Sequence, residues 1–250
     1  MKYTSVKEQL ENLVSLIRDA AFPEFAEMRT DVRVYIKDVL LDLLRNVHGI
    51  EGCKVADAFM LQLDEILRLL HTDVEAVREN DPAVESLEEV ILCYPLTTVM
   101  LHYRTAHTLH ELGVPLLPRL LTEMAHSSTG VDIHPAAQIG EYFCFDHGTG
   151  IVIGATSIIG DHVVLYQGVT LGARNFKYDQ DGLPMDIPRH PILEDNVTVY
   201  SNTSILGRVT IGHDTIVGGN IWLTHDVPPH SRILQTKALE MPTFADGEGI

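Results

Sequence analysis

The second half of the chain contains an apolar residue at every sixth position, and this period constrains the fold more than any other feature. An α-helix repeats about every 3.6 residues and a strand every two, so a period of six fits neither element alone. We call the repeated positions the anchors. They are Ile153, Ile159, Leu165, Leu171 and, after an interruption, Leu193, Val199, Ile205, Ile211, Val217 and Leu223.

A second series of small or β-branched residues precedes the anchors by two positions. Its members are Ile151, Ser157, Val163, Val169, Val197, Thr203, Val209, Thr215 and Ile221. Residues two apart in a strand point the same way, so each hexad predicts one short strand with two inward side chains, followed by a turn. Three such strands, or three hexads, close one coil, and stacked coils bury a continuous core. The pattern resembles the hexapeptide-repeat family, which implies a left-handed parallel β-helix that packs as a trimer.

Two insertions interrupt the hexads, and insertions in a solenoid often map to its working face. Ile139 and Ile153 are separated by two hexads plus two positions, which indicates an insertion around the segment FDHGTG. Leu171 and Leu193 are separated by three hexads plus four positions, and the segment between them is rich in proline, glycine and charge. We therefore expect a projecting loop over residues 173–191. It contains three basic residues, Arg174, Lys177 and Arg189.

The first half has helical periodicity instead. Apolar residues recur three to four positions apart in runs around residues 10–21, 32–47, 59–70, 96–112 and 115–126, with a break at Asp81-Pro82. The predicted fold class is α+β: an all-helical N-terminal domain followed by a left-handed parallel β-helix. We expect the helical domain over 1–128, the β-helix over 129–226 and a flexible C-terminal tail over 227–250.

The chain is acidic, with 35 acidic and 18 basic residues and a formal net charge of -17. This balance disfavours partners that present many negative charges, such as nucleic acids and anionic membrane surfaces. Its three cysteines, Cys53, Cys93 and Cys144, show no CxxC spacing, so neither a disulfide framework nor a structural zinc site is predicted. We expect a cytoplasmic protein.

Both insertions bring a histidine next to a charged residue. His147 follows Asp146 at the first insertion, and His190 follows Arg189 at the second. Asp132 precedes His147 by slightly less than one coil, so the two could lie near each other on adjacent coils. A carboxylate that holds one imidazole nitrogen leaves the other nitrogen free to act as a base.

Five segments make the resemblance more specific. DPAV begins at Asp81, and VDIHPAAQIG, FDHGTGIVIG, QGVTLG and RHP follow in the second half. Together they resemble the serine O-acetyltransferase family, whose members acetylate L-serine from acetyl-CoA on the way to cysteine. The resemblance covers most of the chain.

By position, the resemblance implies a role for six residues. His147 matches the general base that takes the proton of the serine hydroxyl, and Asp132 matches the carboxylate that orients it. Asp81 and Asp146 match positions that hold the substrate ammonium group, while Arg189 and His190 match those that meet its carboxylate.

The resemblance also implies a co-substrate, acetyl-CoA, and no metal. Acetyl-CoA would lie in a groove along the solenoid between neighbouring subunits, where backbone groups at Ala173, Ser201 and Gly219 occupy the matching turns. The nucleotide end departs from the family's pattern, as at Ile216, where a basic residue is common. Arg174, Lys177, Arg208 and Lys237 are the candidates for binding the CoA phosphates, and the sequence does not choose among them.

Partners follow from the same resemblance. The family implies a homotrimer or a dimer of trimers, with L-cysteine as feedback inhibitor. The chain ends in Gly249-Ile250, and the family's terminal isoleucine inserts into the active site of O-acetylserine sulfhydrylase (cysteine synthase). An apolar side chain beside a free carboxylate can mimic an amino-acid ligand, which favours the same role for Ile250.

Three other functions remain open from the sequence. One is a different hexapeptide-repeat acetyltransferase that acts on a sugar or another small molecule. A second is a non-catalytic scaffold that binds cysteine synthase through its tail. The third is a zinc hydro-lyase similar to γ-class carbonic anhydrase, for which His134, His147 and His162 are the candidate ligands.

Overall fold

A computed structural model of the chain describes residues 3–26, 31–45, 51–175, 178–183, 185 and 187–236. Helices occupy the first half of these residues and short strands the second half. The helices are α1 (Tyr3–Ala21), α2 (Val32–Arg45), α3 (Gly52–Asn80), α4 (Leu87–Cys93), α5 (Pro95–Glu111) and α6 (Leu117–Thr129). None of the helices in these ranges combines the length and the hydropathy needed to cross a membrane.

The longer helices follow the apolar stripes seen in the sequence. The buried face of α3 includes Phe59, Leu63, Ile66 and Leu70. This stripe packs into the core because the three-to-four spacing places its members on one side of the helix. Helix α3 ends at Asn80 because Asp81 precedes Pro82, and a residue before proline avoids the helical region.

Among the described residues, α4 is the one α-helix that the apolar stripes do not predict. Its N-cap is Ser86, whose hydroxyl oxygen accepts a hydrogen bond of 3.1 Å from the Glu89 backbone N–H. The Glu89 carboxylate in turn accepts one of 2.9 Å from the Glu85 N–H. A helix of seven residues is too short to show a periodic stripe, whereas its capping residues are legible in the sequence.

The strands form three parallel sheets. The first sheet contains β1 (Asp132–Ile133), β4 (Val152–Ile153), β7 (Thr170–Gly172), β10 (Ser204–Leu206) and β13 (Trp222–Leu223). The second contains β2 (Gln138–Ile139), β5 (Ile158–Ile159), β8 (Ile192–Leu193) and β11 (Thr210–Ile211). The third contains β3 (Cys144–Asp146), β6 (Val164–Tyr166), β9 (Thr198–Val199), β12 (Ile216–Val217) and β14 (Arg232–Ile233). The chain visits the sheets in rotation, so the structure is a β-solenoid and the predicted fold class is confirmed.

All ten anchors point into the solenoid, and each is at most 2% exposed. In the second series, Val209 and Ile221 are half-buried and the other members are buried. Because the inward side chains stack from coil to coil, the core of the solenoid is one continuous column.

The register of paired strands reveals the length of each coil. Thr198 pairs with Ile216, three hexads further along the chain, as a regular coil requires. Asp132 pairs with Val152, which adds two positions to three hexads and accounts for the first insertion. Thr170 pairs with Ser204, almost two regular coils further along, because this coil includes the loop between β7 and β8.

Each coil turns at three corners, which we number by the sheets they join. The first corner joins the third sheet to the first and comprises residues 147–151, 167–169, 200–203 and 218–221. The second corner joins the first sheet to the second and comprises residues 134–137, 154–157, 207–209, 224–226 and the described residues of 173–191. The third corner joins the second sheet to the third and comprises residues 140–143, 160–163, 194–197, 212–215 and 228–231.

A buried ion pair joins the helices to the first coil. The Arg104 guanidinium of α5 donates two hydrogen bonds to the Asp73 carboxylate of α3, at 2.9 and 3.1 Å. It also donates to the carbonyl oxygens of Ile139 and Gly140, and Asp73 accepts from the Phe143 N–H. These bonds join α3 and α5 to the third corner of the first coil, and α3 also contacts β3.

Parallel pairing continues to Ile233, beyond residue 226, where the sequence places the start of the tail. Residues 237–250 lie outside the described residues, so the predicted flexibility of the tail stays a prediction.

Candidate active site

A cavity of about 740 Å³ lies between the helical domain and the first corner. Three of the predicted site residues line it: Asp81, Asp146 and His147. The structure thus brings together residues from the helical half and the solenoid half of the sequence. The other lining residues are Pro82, Ala83, Cys93, Tyr94, Pro95, Leu96, Phe145 and Thr149.

Asp81 caps the C-terminal end of α3 and is held by two hydrogen bonds. One carboxylate oxygen accepts from the Ala83 N–H at 2.8 Å, and the other accepts from the Tyr94 hydroxyl at 2.7 Å. The bond to Asp81 raises the pKa of Tyr94 to about 12, so the phenol stays a donor at neutral pH. The Asp81 carboxylate is therefore fixed in orientation at the cavity wall.

His147 occupies the first corner with its side chain 73% exposed. Its backbone is in the left-handed region, with φ at 57°, and Gly148 follows with φ at 84°. A Cβ atom at position 148 would lie 2.5 Å from the Phe145 ring, so the turn requires glycine there. This sharp turn directs the imidazole into the cavity lining, where Nδ1 lies 3.5 Å from Asp146 Oδ1.

Asp132 begins the strand next to this turn, and its backbone N–H donates to the carbonyl oxygen of Ile151. Its carboxylate lies 3.7 Å from Arg119 Nη1. Within the described ranges, no hydrogen bond or ion pair joins Asp132 to His147, which faces Asp146 instead. The pairing of Asp132 with His147 stays a prediction.

Arg189 and His190 lie at the second corner, on the other edge of the first sheet from His147. His190 is 8% exposed, and its Nδ1 accepts a hydrogen bond of 3.1 Å from the Thr156 N–H. Burial, reinforced by the charge of Arg189, lowers the pKa of His190 to about 4. The ring is therefore neutral at pH 7, and with Nδ1 accepting, the proton resides on Nε2. A neutral His190 can donate to a carboxylate but does not carry a charge.

Local packing fixes this second group. A Cβ atom at Gly154 would lie 2.0 Å from the His190 ring, so only glycine leaves room for it. Arg208 Nη1 donates to the carbonyl oxygens of Thr156 and His190, at 2.6 and 3.0 Å. Arg208, one of four candidates for the CoA phosphates, thus supports the second corner.

The predicted CoA-binding turns divide between the same two corners. Ser201 and Gly219 are neighbours on successive coils of the first corner, where the Asn220 N–H donates to the Ser201 carbonyl oxygen. Ala173 follows β7 at the second corner. Arg174, beside it, is exposed. Lys177 and Lys237 lie outside the described residues.

The histidines proposed for a zinc hydro-lyase do not meet within one chain. His134 lies at the second corner, His147 at the first and His162 at the third.

The sequence did not predict two residues of the site. Tyr94 binds Asp81, and Thr156 holds the backbone of Arg189 and His190 through its hydroxyl oxygen. Tyr94 belongs to no motif, and Thr156 stands in an ordinary hexad turn. Only the fold shows which residues they contact.

A helical domain on a parallel β-helix, with an imidazole and two carboxylates around a cavity at a coil corner, defines a solenoid protein of the hexapeptide-repeat class. No family model matches the chain. A curated relative, the plasmid serine acetyltransferase of Synechococcus elongatus, is 48% identical over 198 residues. The match covers 79% of this chain and 62% of that relative, so the chain spans less than two thirds of the relative's length.

The solved structures that the chain resembles are also serine acetyltransferases. Serine acetyltransferase isoform 3 of Entamoeba histolytica, in complex with cysteine, matches with a TM-score of 0.81 and 32% identity. That match covers 94% of this chain and 84% of the other. A serine acetyltransferase in complex with CoA matches with a TM-score of 0.63 and 28% identity over 88% of this chain and 95% of the other. The chain belongs to the serine acetyltransferase family.

Proposed function

We propose that the protein is a serine O-acetyltransferase, which transfers the acetyl group of acetyl-CoA to the hydroxyl of L-serine and yields O-acetyl-L-serine and CoA. The observation that carries the proposal is the cavity in which Asp81, Asp146 and His147 meet. Two carboxylates beside an exposed imidazole suit a substrate that has an ammonium group and a hydroxyl to deprotonate.

His147 acts as the general base. Nδ1 faces Asp146, so Nε2 is left for the substrate hydroxyl. As His147 takes the hydroxyl proton, the serine oxygen attacks the thioester carbonyl carbon, and the carbon–sulfur bond then breaks. The CoA thiolate takes up the proton from His147, which returns the imidazole to its neutral form. Asp132, at the start of the strand beside the His147 turn, stabilises the imidazolium through its negative charge, without a hydrogen bond to the ring.

The serine zwitterion requires groups of both signs. Asp81 and Asp146 bind its ammonium group at the first corner, and Arg189 and His190 bind its carboxylate from the second. Since one solenoid places these pairs at different corners, the site is completed by the second corner of a neighbouring copy. The family resemblance favours a homotrimer or a dimer of trimers as the assembly that brings the two corners together.

Acetyl-CoA lies along the groove between two such copies. Backbone groups at Ser201 and Gly219 come from one copy, and that at Ala173 comes from the next. The CoA-bound structural neighbour supports this co-substrate. Among the four basic candidates for the CoA phosphates, we favour Arg174, because its side chain is exposed.

L-Cysteine is the feedback inhibitor, because it differs from L-serine only by a thiol in place of the hydroxyl. The cysteine complex of the Entamoeba neighbour supports this assignment. Ile250 binds cysteine synthase; it lies outside the described residues, and its support is the resemblance of the chain's last residues to the family's tail. The acidic composition and the three free cysteines favour a cytoplasmic location.

The test is release of CoA from acetyl-CoA, followed with a thiol reagent. The wild type is expected to release CoA only when L-serine is added, and L-cysteine is expected to raise the apparent KM for L-serine. In His147→Ala, loss of the base should lower kcat roughly 100-fold to 10,000-fold. The matched control is His162→Ala, since His162 is also an exposed histidine with positive φ at a coil corner.

Turnover with a sugar but none with serine would assign the chain to another acetyltransferase of this fold. Absence of turnover with every acceptor, together with tight binding to cysteine synthase, would indicate the scaffold. Equal losses in His147→Ala and His162→Ala would contradict the role of His147.

A further inference from the structure

Two histidines and an aspartate meet at the third corner of the last two coils. His213 Nδ1 lies 2.7 Å from Asp214 Oδ2, and His230 Nδ1 lies 3.5 Å from the same oxygen. The two imidazole rings are nearly perpendicular, with their centroids 4.8 Å apart. One ligand atom from each of the three side chains lies within 4.8 Å of the others.

The length of the last coil creates this cluster. Ile216 pairs with Arg232, two positions short of three hexads, whereas the preceding coil contains three full hexads. The shorter coil places His230 directly over Asp214, and both have φ at 57°. Their side chains therefore project from equivalent positions of successive coils.

The backbone at the cluster is fixed from both sides. The His230 N–H donates to the His213 carbonyl oxygen at 2.9 Å, and the Asp214 N–H donates to that of Asp195 at 3.0 Å. A Cβ atom at Gly212 would lie 2.4 Å from the Pro229 nitrogen, so the two coils are in close contact there. Such a rigid scaffold holds ligand atoms in place before an ion binds.

Neighbouring polar groups favour a cation. Glu194 accepts a hydrogen bond from the His213 N–H at 2.8 Å, so a second carboxylate stands beside the cluster. Asn196, one coil below, hydrogen-bonds the Asp214 carboxylate.

We propose that His213, Asp214 and His230 bind a divalent transition-metal ion of the Zn²⁺ type, with water at the open position. Two imidazole nitrogens and one carboxylate oxygen form a ligand set that suits zinc. The Asn196 and Glu194 side chains would orient the ligands from behind. The site lies outside the catalytic cavity, so its role is structural.

A metal at this position would join the last coil to the coil before it. Among the described strands, the final one, β14, pairs with β12 alone, so the end of the solenoid has one neighbouring coil instead of two. A ligand that binds only the folded state stabilises that state by mass action. Bound Zn²⁺ should therefore make local unfolding of this terminal coil less frequent.

The experiment combines calorimetry with hydrogen exchange on the full chain, stripped of metal and then titrated with Zn²⁺ alone. We expect uptake of about one Zn²⁺ per chain and slower exchange of the amides in residues 228–233. His213→Ala and His230→Ala should each weaken Zn²⁺ binding at least about tenfold and abolish the slowing. Exchange of the metal-free variants, compared with the metal-free wild type, shows whether the coil still folds.

Two control variants make the result specific. His225→Ala removes an exposed histidine of the same coil that lies outside the cluster, and it should bind Zn²⁺ like the wild type. His126→Ala removes a histidine that lies near Glu123 and Asp132, the other group of potential ligands, and it should also keep the slowing. The proposal is overturned if Zn²⁺ does not bind, or if binding and slowing persist in His213→Ala and His230→Ala.

Discussion

The first and second corners of the solenoid arise from the same hexads but have opposite character. The first corner, together with the end of α3, presents two carboxylates and an imidazole that is 73% exposed. The second presents Arg189, Arg208 and an imidazole that is 8% exposed and neutral. Under the proposed function, this difference gives one chain two half-sites, one for each charged end of the serine zwitterion. The proposal then predicts that a complete site combines the first corner of one copy with the second corner of another.

The strongest test of the two half-sites is to mix two inactive variants, each lacking one of them. His147→Ala and Arg189→Ala should each retain about 1% of wild-type activity or less, because each removes one half-site. Co-expressed with different tags, they should form mixed trimers in which about one site in three carries both native residues, because each site pairs two neighbouring copies in one orientation. CoA release by mixed trimers purified through both tags should therefore rise to about a third of the wild-type rate.

A matched control is the mixture of His147→Ala with His147→Ala,Arg189→Ala, which has no intact site in any arrangement. No recovery in the experimental mixture despite confirmed co-assembly would show that each site is built within one chain. Recovery in the control would show instead that turnover does not require His147.

Variants of the two half-sites should also differ in how they bind a fragment of serine that lacks the ammonium group. Asp81→Asn should lower kcat/KM for L-serine roughly tenfold to hundredfold, as loss of a hydrogen bond to a charged group implies. Tyr94→Phe, which frees Asp81 from its phenol, should lower it about fivefold. 3-Hydroxypropanoate, used as an inhibitor, has the hydroxyl and the carboxylate of serine but lacks the ammonium group. Its inhibition constant should be unchanged in Asp81→Asn and higher in Arg189→Ala.

The control for Tyr94→Phe is Tyr178→Phe, which alters an exposed tyrosine between β7 and β8. If Asp81→Asn weakened 3-hydroxypropanoate as much as L-serine, Asp81 would not be the ammonium-binding group.

The smallest expected effect concerns stability and pH. His190 has a pKa of about 4 in the folded chain and an ordinary value of 6.5 when unfolded. Between these values the unfolded state binds more protons, so the free energy of unfolding falls as pH drops from 6.5 toward 4. His190→Asn keeps an acceptor for the Thr156 N–H but removes the titration. Urea unfolding at pH 7 and pH 5 should show a smaller loss for this variant than for the wild type.

His134, which is also at the second corner, has its pKa lowered by burial, so His134→Asn serves as a comparison for the size of the effect. An identical loss in the wild type and His190→Asn would mean that His190 is protonated in the folded state.

Much of the fold can be predicted from the sequence, because the buried face of each element requires apolar residues at regular intervals. The anchors are buried as predicted, and the two insertions fall where the coil length changes. Helix α4 is an exception, since seven residues cannot show a helical stripe. The shortened final coil is another, because no anchor follows Leu223 to reveal its length.

The sequence by itself determined the solenoid, the identity of the family and three of the residues that line the cavity, Asp81, Asp146 and His147, because hexads and motifs are local patterns. Tertiary structure alone decided that Asp81 of the helical half meets His147 of the solenoid, and that Tyr94 and Thr156 orient the residues of the site. It also decided that His213, Asp214 and His230 share one corner. These contacts depend on how coils and helices stack, and stacking follows from the packing of the whole chain, which no short segment encodes.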